Sequence, residues 1–302
     1  MLGSSRALTA TPNLHMQQPA TPRIADADIL SAARQLPGAN PSAPRILAAL
    51  SASDTSTGDI LALLKVEPAL TARVLRVANS ALYGLRGGVA TLRQALDLLG
   101  LDAVRAITAA ACFNRSMSRP GAKDPIELTE LHTHCIATAL AAEALAHIRH
   151  KPLAGKAFIA GLLHDFGALL ALGVQSAPAR HLRLEAGPPT DATDFLADVA
   201  AWHEHYGAVV LKSWGLPEAL QTAAAHHHDA RLAPPIHAEL TALVHVADCV
   251  TRNLGFGFET EREQCAPLAE TFALLAFGAE DVDDIAAALP QRVNALVASL
   301  AD

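Results

Sequence analysis

Two adjacent ionisable residues, His164 and Asp165, interrupt an otherwise apolar stretch at residues 157–172. Burying an imidazole beside a carboxylate costs free energy unless each side chain finds a partner. Two interpretations meet this requirement. The pair is either a satisfied ion pair of the core, or part of a metal site whose other ligands come from distant helices. The pair by itself does not choose between them.

The histidines are concentrated in one part of the chain. The sequence contains 14 histidines, and all but His15 lie between His132 and His245. Glu130 lies four residues before His134, so these two side chains share one helix face. Imidazoles and carboxylates held by several helices define a metal site that an unfolded chain lacks. This part of the chain is therefore predicted to carry the chemistry.

The composition predicts an all-α fold. Hydrophobic residues make up 51% of the 302 residues and aromatic residues only 4%, and the abundance of Ala and Leu favours helices over a β-sandwich or barrel. No run of about 18 uncharged apolar residues is present, and residues 1–23 lack the apolar core of a signal peptide. We therefore expect a cytoplasmic protein without a membrane span. The four cysteines are widely spaced, and we expect reduced thiols.

Proline and glycine divide the chain into predicted units. These are a disordered tail at residues 1–25, an N-terminal helical lobe at 26–118, a second helical lobe at 119–255 and a C-terminal helical extension at 256–302. The boundary between the two lobes is predicted at residues 116–124, which contain Pro120 and Gly121. The apolar run at residues 157–172 is predicted to be one helix.

The charge is unevenly distributed. A net charge of -7 disfavours a protein whose whole surface binds nucleic acid. Residues 65–115 nevertheless contain seven basic residues against three acidic ones. Among them, Arg73 and Arg76 are three apart on one predicted helix face, which is either a solvated face or a partner-binding one.

A longer pattern resembles a known family. The string EPALTARVLRVANSALYG at residues 67–84, followed by Thr91, Gln94-Ala95 and Leu99-Gly100-Leu101, resembles the N-terminal half of an HDOD domain, a bacterial module related to the HD phosphohydrolases. Further matching motifs are His134-Cys135, Gly161-Leu162-Leu163-His164-Asp165, His205-Tyr206-Gly207, Trp214-Gly215-Leu216-Pro217 and His227-His228-Asp229. The resemblance covers residues 37–249 and implies a two-lobed, all-α HDOD fold.

The resemblance also implies a set of metal ligands that converge in space. The ligands of the HD superfamily correspond in order to His134, His164, Asp165, His205, His227 and Asp248, with His228 as a further candidate. Glu130 resembles an extra ligand of the HD-GYP phosphodiesterases. Adjacent helical residues diverge by about 100°, so His227 and His228 can both join only on an irregular backbone. Mixed His and carboxylate ligation suits Zn, Fe, Mn or Ni alike, and no organic cofactor is expected.

The implied function is regulatory. HDOD resemblance implies a bacterial signal-transduction module that binds a partner protein or a nucleotide without catalysis. The alternative is a metal-dependent phosphohydrolase acting on a nucleotide or cyclic dinucleotide, with His164 and Asp165 as catalytic residues. Ala168 stands where HDxGK relatives carry a basic residue, and the segment after Asp229 lacks the HD-GYP signature. Because phosphoryl transfer needs electrostatic stabilisation, these departures favour the regulatory module. The sequence leaves the oligomeric state open.

Overall fold

The protein is built from helices. The structure, a computed structural model, describes residues 22, 24–35, 42–52, 56–65, 67–79, 89–117, 126–175, 192–257, 265 and 267–300. Its helices are α1 (Asp26–Gln35), α2 (Ser42–Ser51), α3 (Thr57–Lys65), α4 (Pro68–Ala78), α5 (Leu92–Met117), α6 (Ile126–Arg149), α7 (Ala154–Leu163), α8 (Phe166–Gln175), α9 (Ala192–Ser213), α10 (Glu218–His226), α11 (Ala238–Thr251), α12 (Ala269–Leu275) and α13 (Ala279–Leu300). No strand occurs in the described residues, and the predicted all-α fold is confirmed.

Helix α6 lies at the centre of this arrangement. Helices α7, α11 and α13 pack against it, and residues 135–142 are buried on every side, which is typical of a helix surrounded by protein. The segment Lys151–Ala171 is long and apolar enough to cross a membrane, but 89% of its most apolar window is buried inside the protein. Its apolar side chains thus belong to the core of the fold.

The apolar run at residues 157–172 does not form the single helix that was predicted. Helix α7 ends at Leu163, His164 and Asp165 form a turn, and α8 begins at Phe166. Neighbouring residues on a continuous helix point about 100° apart, whereas the turn leaves His164 and Asp165 only 0% and 1% exposed. The sequence hides this break because helices that are buried all round show no hydrophobic periodicity.

Two glycines allow the helices around this turn to approach closely. A Cβ atom on Gly161 would lie 2.9 Å from the Cα of Ala139 on α6. A Cβ atom on Gly167 would lie 2.1 Å from the backbone oxygen of His203 on α9. A larger residue at either position would push two helix backbones apart. The distance between α8 and α9 therefore depends on Gly167.

The N-terminal helices pack directly on this core. Helix α1 lies against α8 and α9, and α2 contacts both α5 and α7. Gly100, with φ +80°, interrupts the helical backbone of α5. Most of the predicted tail and most of the predicted lobe boundary at residues 116–124 lie outside the described residues. The division into four units stays a prediction.

Two of the cysteines are joined. Cys249 on α11 and Cys265 form a disulfide, with their Cα atoms 4.8 Å apart. The expectation of reduced thiols is therefore wrong for this pair. Their separation of 16 residues in the sequence does not indicate a disulfide, because it is the fold that brings the two cysteines together. Cys135 is buried and is not part of a disulfide.

Candidate metal centre

Seven ionisable side chains meet between α6 and the helices packed on it. His134 comes from α6, His164 and Asp165 from the α7–α8 turn, His203 from α9, His227 and His228 from the chain after α10, and Asp248 from α11. All of them except His228 are at most 2% exposed. His228 is one third exposed at its side chain, at 33%. The group therefore lies in the core and reaches solvent at His228.

A first cluster forms around His134. Its Nε2 atom lies 3.1 Å from His164 Nε2, 3.4 Å from Asp165 Oδ2 and 3.1 Å from Asp248 Oδ1. His164 Nε2 is also 3.1 Å from Asp165 Oδ2. Ligands at about 2.0–2.2 Å from one divalent cation are separated by distances of this size. Four side chains are thus spaced as the ligands of a single ion.

A second cluster forms around His203. Its Nε2 atom lies 3.3 Å from His227 Nε2 and 2.9 Å from His228 Nε2. The other oxygen of Asp165, Oδ1, lies 3.4 Å from His203 Nε2 and 3.3 Å from His227 Nε2. One carboxylate therefore faces the first cluster with Oδ2 and the second with Oδ1. This is the arrangement of a bridging ligand in a two-metal site.

The tautomers of three histidines direct lone pairs into the clusters. Nδ1 of His164 donates to the backbone oxygen of Gly161 at 2.7 Å, and Nδ1 of His227 donates to that of Ala224 at 3.0 Å. Nδ1 of His203 likewise lies 3.0 Å from the backbone oxygen of Ala200. A carbonyl oxygen only accepts, so Nδ1 of each ring carries a proton, and whenever the ring is neutral its lone pair is on Nε2. Metal-binding histidines are held in this way.

Positive charge is needed to balance the buried carboxylates. Burial disfavours protonation of His134, but its neighbours Asp165 and Asp248 outweigh burial and raise its pKa to about 10. His227 shows the same balance, and the pKa rises to about 9 beside Asp165 and Glu204. Burial raises the pKa of Asp248, but His134 and Arg252 outweigh it and bring the pKa far below its usual range.

The side chains fit a divalent metal. Asp165 Oδ1 and both oxygens of Asp248 are buried and accept no hydrogen bond, which is costly in a protein interior unless another group coordinates them. Within the described chain, His134, His164 and Asp165 form one group able to hold an ion, and His203, His227 and His228 form another. Nitrogen and carboxylate ligands together suit a first-row divalent cation and do not identify it.

His205 is the error in the predicted ligand set. Its ring lies at the surface, with Nε2 2.8 Å from Asp26 Oδ1 of α1, and its side chain is 41% exposed. Positions two apart on a helix point about 200° apart, so His203 faces the core while His205 faces away. Gly207, which packs against Gly167, marks the buried face of α9 and could have indicated His203. His203 lies four residues before Gly207, on the same helix face.

The other predicted residues have mixed outcomes. His228 does turn inward beside His227, because α10 ends at His226 and the backbone beyond it is irregular. Glu130 lies one turn before His134 and is partly buried, and it is not in either ligand group of the described residues. Arg73 is partly buried and Arg76 exposed on α4. Metal binding and partner binding by these residues stay predictions.

A family comparison covers most of the chain. The model of the HDOD domain matches residues 36–230. A Treponema pallidum (strain Nichols) protein described as uncharacterized is 25% identical over 206 residues, which are 67% of this chain and 39% of the relative. The chain thus spans about two fifths of the length of that curated relative.

Two solved structures share the fold. A Marinobacter aquaeolei VT8 protein, provisionally described as a signal transduction protein, is 21% identical with a TM-score of 0.67, and the match covers 92% of this chain and 66% of that one. A Shewanella amazonensis SB2B protein, provisionally described as a metal-dependent phosphohydrolase, is 19% identical with a TM-score of 0.56, over 85% of this chain and 90% of that one.

Proposed function

Since the chain belongs to the HDOD domain family, we propose that it is a regulatory signal-transduction module that binds a nucleotide or a partner protein without turning it over, and that its metal centre has a structural or sensing role. The observation that carries this proposal is the closure of the centre, whose ligand side chains other than His228 are at most 2% exposed. Catalytic metal sites keep an open position for water or substrate, whereas structural sites are closed. A closed centre therefore suits a structural or sensing role.

Two further features support binding without turnover. Ala168 occupies the position at which HDxGK relatives carry a basic side chain, and it is itself buried. The segment after Asp229 lacks the HD-GYP signature, and it begins with a 3₁₀ turn, Ala230–Leu232, in which Leu232 is 66% exposed. Each preorganised donor missing from a phosphoryl-transfer site costs about 3–4 kcal/mol of transition-state stabilisation. The proposed ligand is a nucleotide or a partner protein, with Arg73 and Arg76 as the proposed partner-binding residues.

A second candidate function is a metal-dependent phosphohydrolase. It is favoured by Asp165, whose two oxygens face separate ligand clusters. Two-metal sites bridged in this way occur in phosphatases and nucleases, where bound cations supply Lewis-acid stabilisation and a nucleophile. His164 and Asp165 would then be essential for hydrolysis.

Metal analysis and a hydrolysis assay test these proposals. The full chain, purified without chelators, is expected to contain a divalent metal that His203→Ala lowers. His205→Ala is the matched control, since it lies on the same helix and should keep the metal. We expect no multi-turnover hydrolysis of cyclic di-GMP by the metal-loaded protein. Turnover that is lost in folded His164→Ala and Asp165→Ala variants would establish the phosphohydrolase instead, and absence of metal would overturn both.

A further inference from the structure

The exposed edge of the metal centre contains an arginine. Nη1 of Arg252 lies 3.5 Å from Asp248 Oδ2, and its side chain is 13% exposed. His228 Nδ1 approaches the same oxygen at 3.9 Å. Arg252 and Asp248 thus form an ion pair at the edge of the centre. His228 and Arg252, which are both partly exposed, therefore meet at one point.

The backbone around Arg252 holds its side chain in place. Arg252 begins a π-helical turn, Arg252–Phe256, that follows α11 and contains Gly255 at φ +83°. The chain then folds back so that a Cβ on Gly257 would lie 3.4 Å from Cγ of Arg252. π-Helical turns are rare and frequently occur at functional sites. The stem of Arg252 is thus packed against backbone, and its charged end stays beside the centre.

Arg252 occupies a position that the sequence motifs do not predict. In HDxGK proteins the basic residue lies at the position of Ala168, which here is 8% exposed on α8 and carries no charge. Arg252 approaches the centre from the end of α11 instead, one turn after the ligand Asp248. A guanidinium has a planar set of N–H donors that matches the oxygens of a phosphate.

The charge of the centre favours an anion when both clusters hold a divalent cation. Asp165 and Asp248 are the buried carboxylates, and Glu204 adds a third near His227, with 3.8 Å between Oε1 and Nδ1. Two divalent cations together with Arg252 outweigh these three carboxylates. A partly desolvated site with excess positive charge attracts an oxyanion.

We propose that Arg252 binds a phosphate oxyanion at the exposed edge of the metal centre, beside His228. This inference rests on the proposed metal centre, because the cations supply most of the attraction. It assigns the ligand chemistry as a phosphate group, which is either free inorganic phosphate or the phosphate of a nucleotide. Arg252 is then a ligand-binding residue, while Asp248 remains a metal ligand.

Calorimetric titration of the metal-loaded full chain tests the assignment. Inorganic phosphate and guanosine monophosphate are titrated separately, and the tighter ligand identifies the source of the phosphate. Losing a charged hydrogen-bonding partner should weaken binding by about 10- to 100-fold in Arg252→Gln. The metal content should stay at the wild-type level. Arg231→Gln is the matched control, because Arg231 is exposed and paired with Asp229, and it should bind like the wild type.

The failures of the two proposals are distinguishable. If the wild type retains no metal, the proposed metal centre and this inference both fail. If metal is retained and phosphate binds equally well to Arg252→Gln, or does not bind to the wild type, only this inference fails. Loss of metal from Arg252→Gln would show that Arg252 acts by holding Asp248, which also overturns it. If Arg252→Gln does not fold, Arg252→Met replaces it, because it keeps an apolar stem without the charge, and unchanged phosphate affinity overturns the inference.

Discussion

Replacing Gly167 with alanine tests whether the packing of α8 on α9 sets the position of His203. The new Cβ would lie 2.1 Å from the backbone oxygen of His203 and 2.5 Å from the backbone nitrogen of Gly207. Both neighbours are backbone atoms, so rotation of a side chain does not relieve the clash. Nonbonded atoms ordinarily lie about 3.5 Å apart, so α9 must move by roughly 1.4 Å. His203 would move with it.

The cost follows from these distances. Overpacking of a core contact costs about 1–3 kcal/mol, and the better helix propensity of alanine returns at most about 1 kcal/mol. Because a 2.1 Å approach to a backbone atom is a severe clash, the cost lies at the upper end of this range, and we expect the free energy of unfolding to fall by about 2 kcal/mol. Because His203 Nε2 lies 3.4 Å from Asp165 Oδ1, its displacement should also weaken metal binding at the second cluster by about 10- to 100-fold, as loss of a supporting contact does.

Urea unfolding followed by circular dichroism measures the first effect, and calorimetric metal titration measures the second. Gly207→Ala is the matched control in the same interface, since its Cβ would meet its nearest neighbour, Gly167, at an ordinary 3.4 Å. This control should be neutral or slightly stabilising. If Gly167→Ala unfolds at the wild-type urea concentration and binds metal equally well, the packing of α8 on α9 does not position His203.

Three other perturbations have defined outcomes. In the metal-free protein, the fold raises the pKa of His134 from 6.5 to about 10. Protonation of His134 therefore stabilises the fold fully below pH 6.5, and this contribution is lost as pH rises through 10. Melting temperature in chelator should therefore fall over that interval, and a rise would contradict the assignment. When free metal is present at about 100 times its dissociation constant, removing it with a chelator should lower the free energy of unfolding by about 2.7 kcal/mol. An unchanged urea midpoint would exclude metal binding to the native state. Gly161→Ala would place a Cβ 2.9 Å from Ala139 Cα, and it should lower the free energy of unfolding in urea by about 1–3 kcal/mol. Gly58→Ala is the control and should have no such cost, because its Cβ would meet its nearest contact at 3.5 Å. Equal urea midpoints for the two variants would refute the close packing of α6 and α7.

The fold was largely accessible from the sequence, because composition and helix-breaking residues act locally. Gly100 illustrates this, since glycine readily adopts a φ of +80°, and at this position it interrupts the helical backbone of α5. The break between α7 and α8 at His164 could not be predicted from the sequence. It lies within a continuous apolar run, and the turn is set by packing against α9 through Gly167.

Part of the candidate site could also be predicted from the sequence. Motif order placed His134, His164, His227 and Asp248 in the group that the structure brings together. It selected His205 instead of His203, because spacing within a motif does not say which helix face is buried. That face is fixed by the contact of Gly207 with Gly167, which joins residues far apart in the chain. Arg252 was missed because its approach to Asp248 depends on the π-helical turn.

The position of Asp165 between the two clusters makes their metal occupancies interdependent. A cation held with Oδ2 would fix the plane of the carboxylate and so orient Oδ1 for a second ion, while the charge of the first ion would repel the second. Linkage requires this coupling free energy to be the same whichever cluster is occupied first. Because two divalent charges that share one carboxylate repel strongly, the second ion would bind more weakly than the first. Metal occupancy would then rise in two unequal steps with concentration, and a single buried carboxylate would give the protein two thresholds for the same ion.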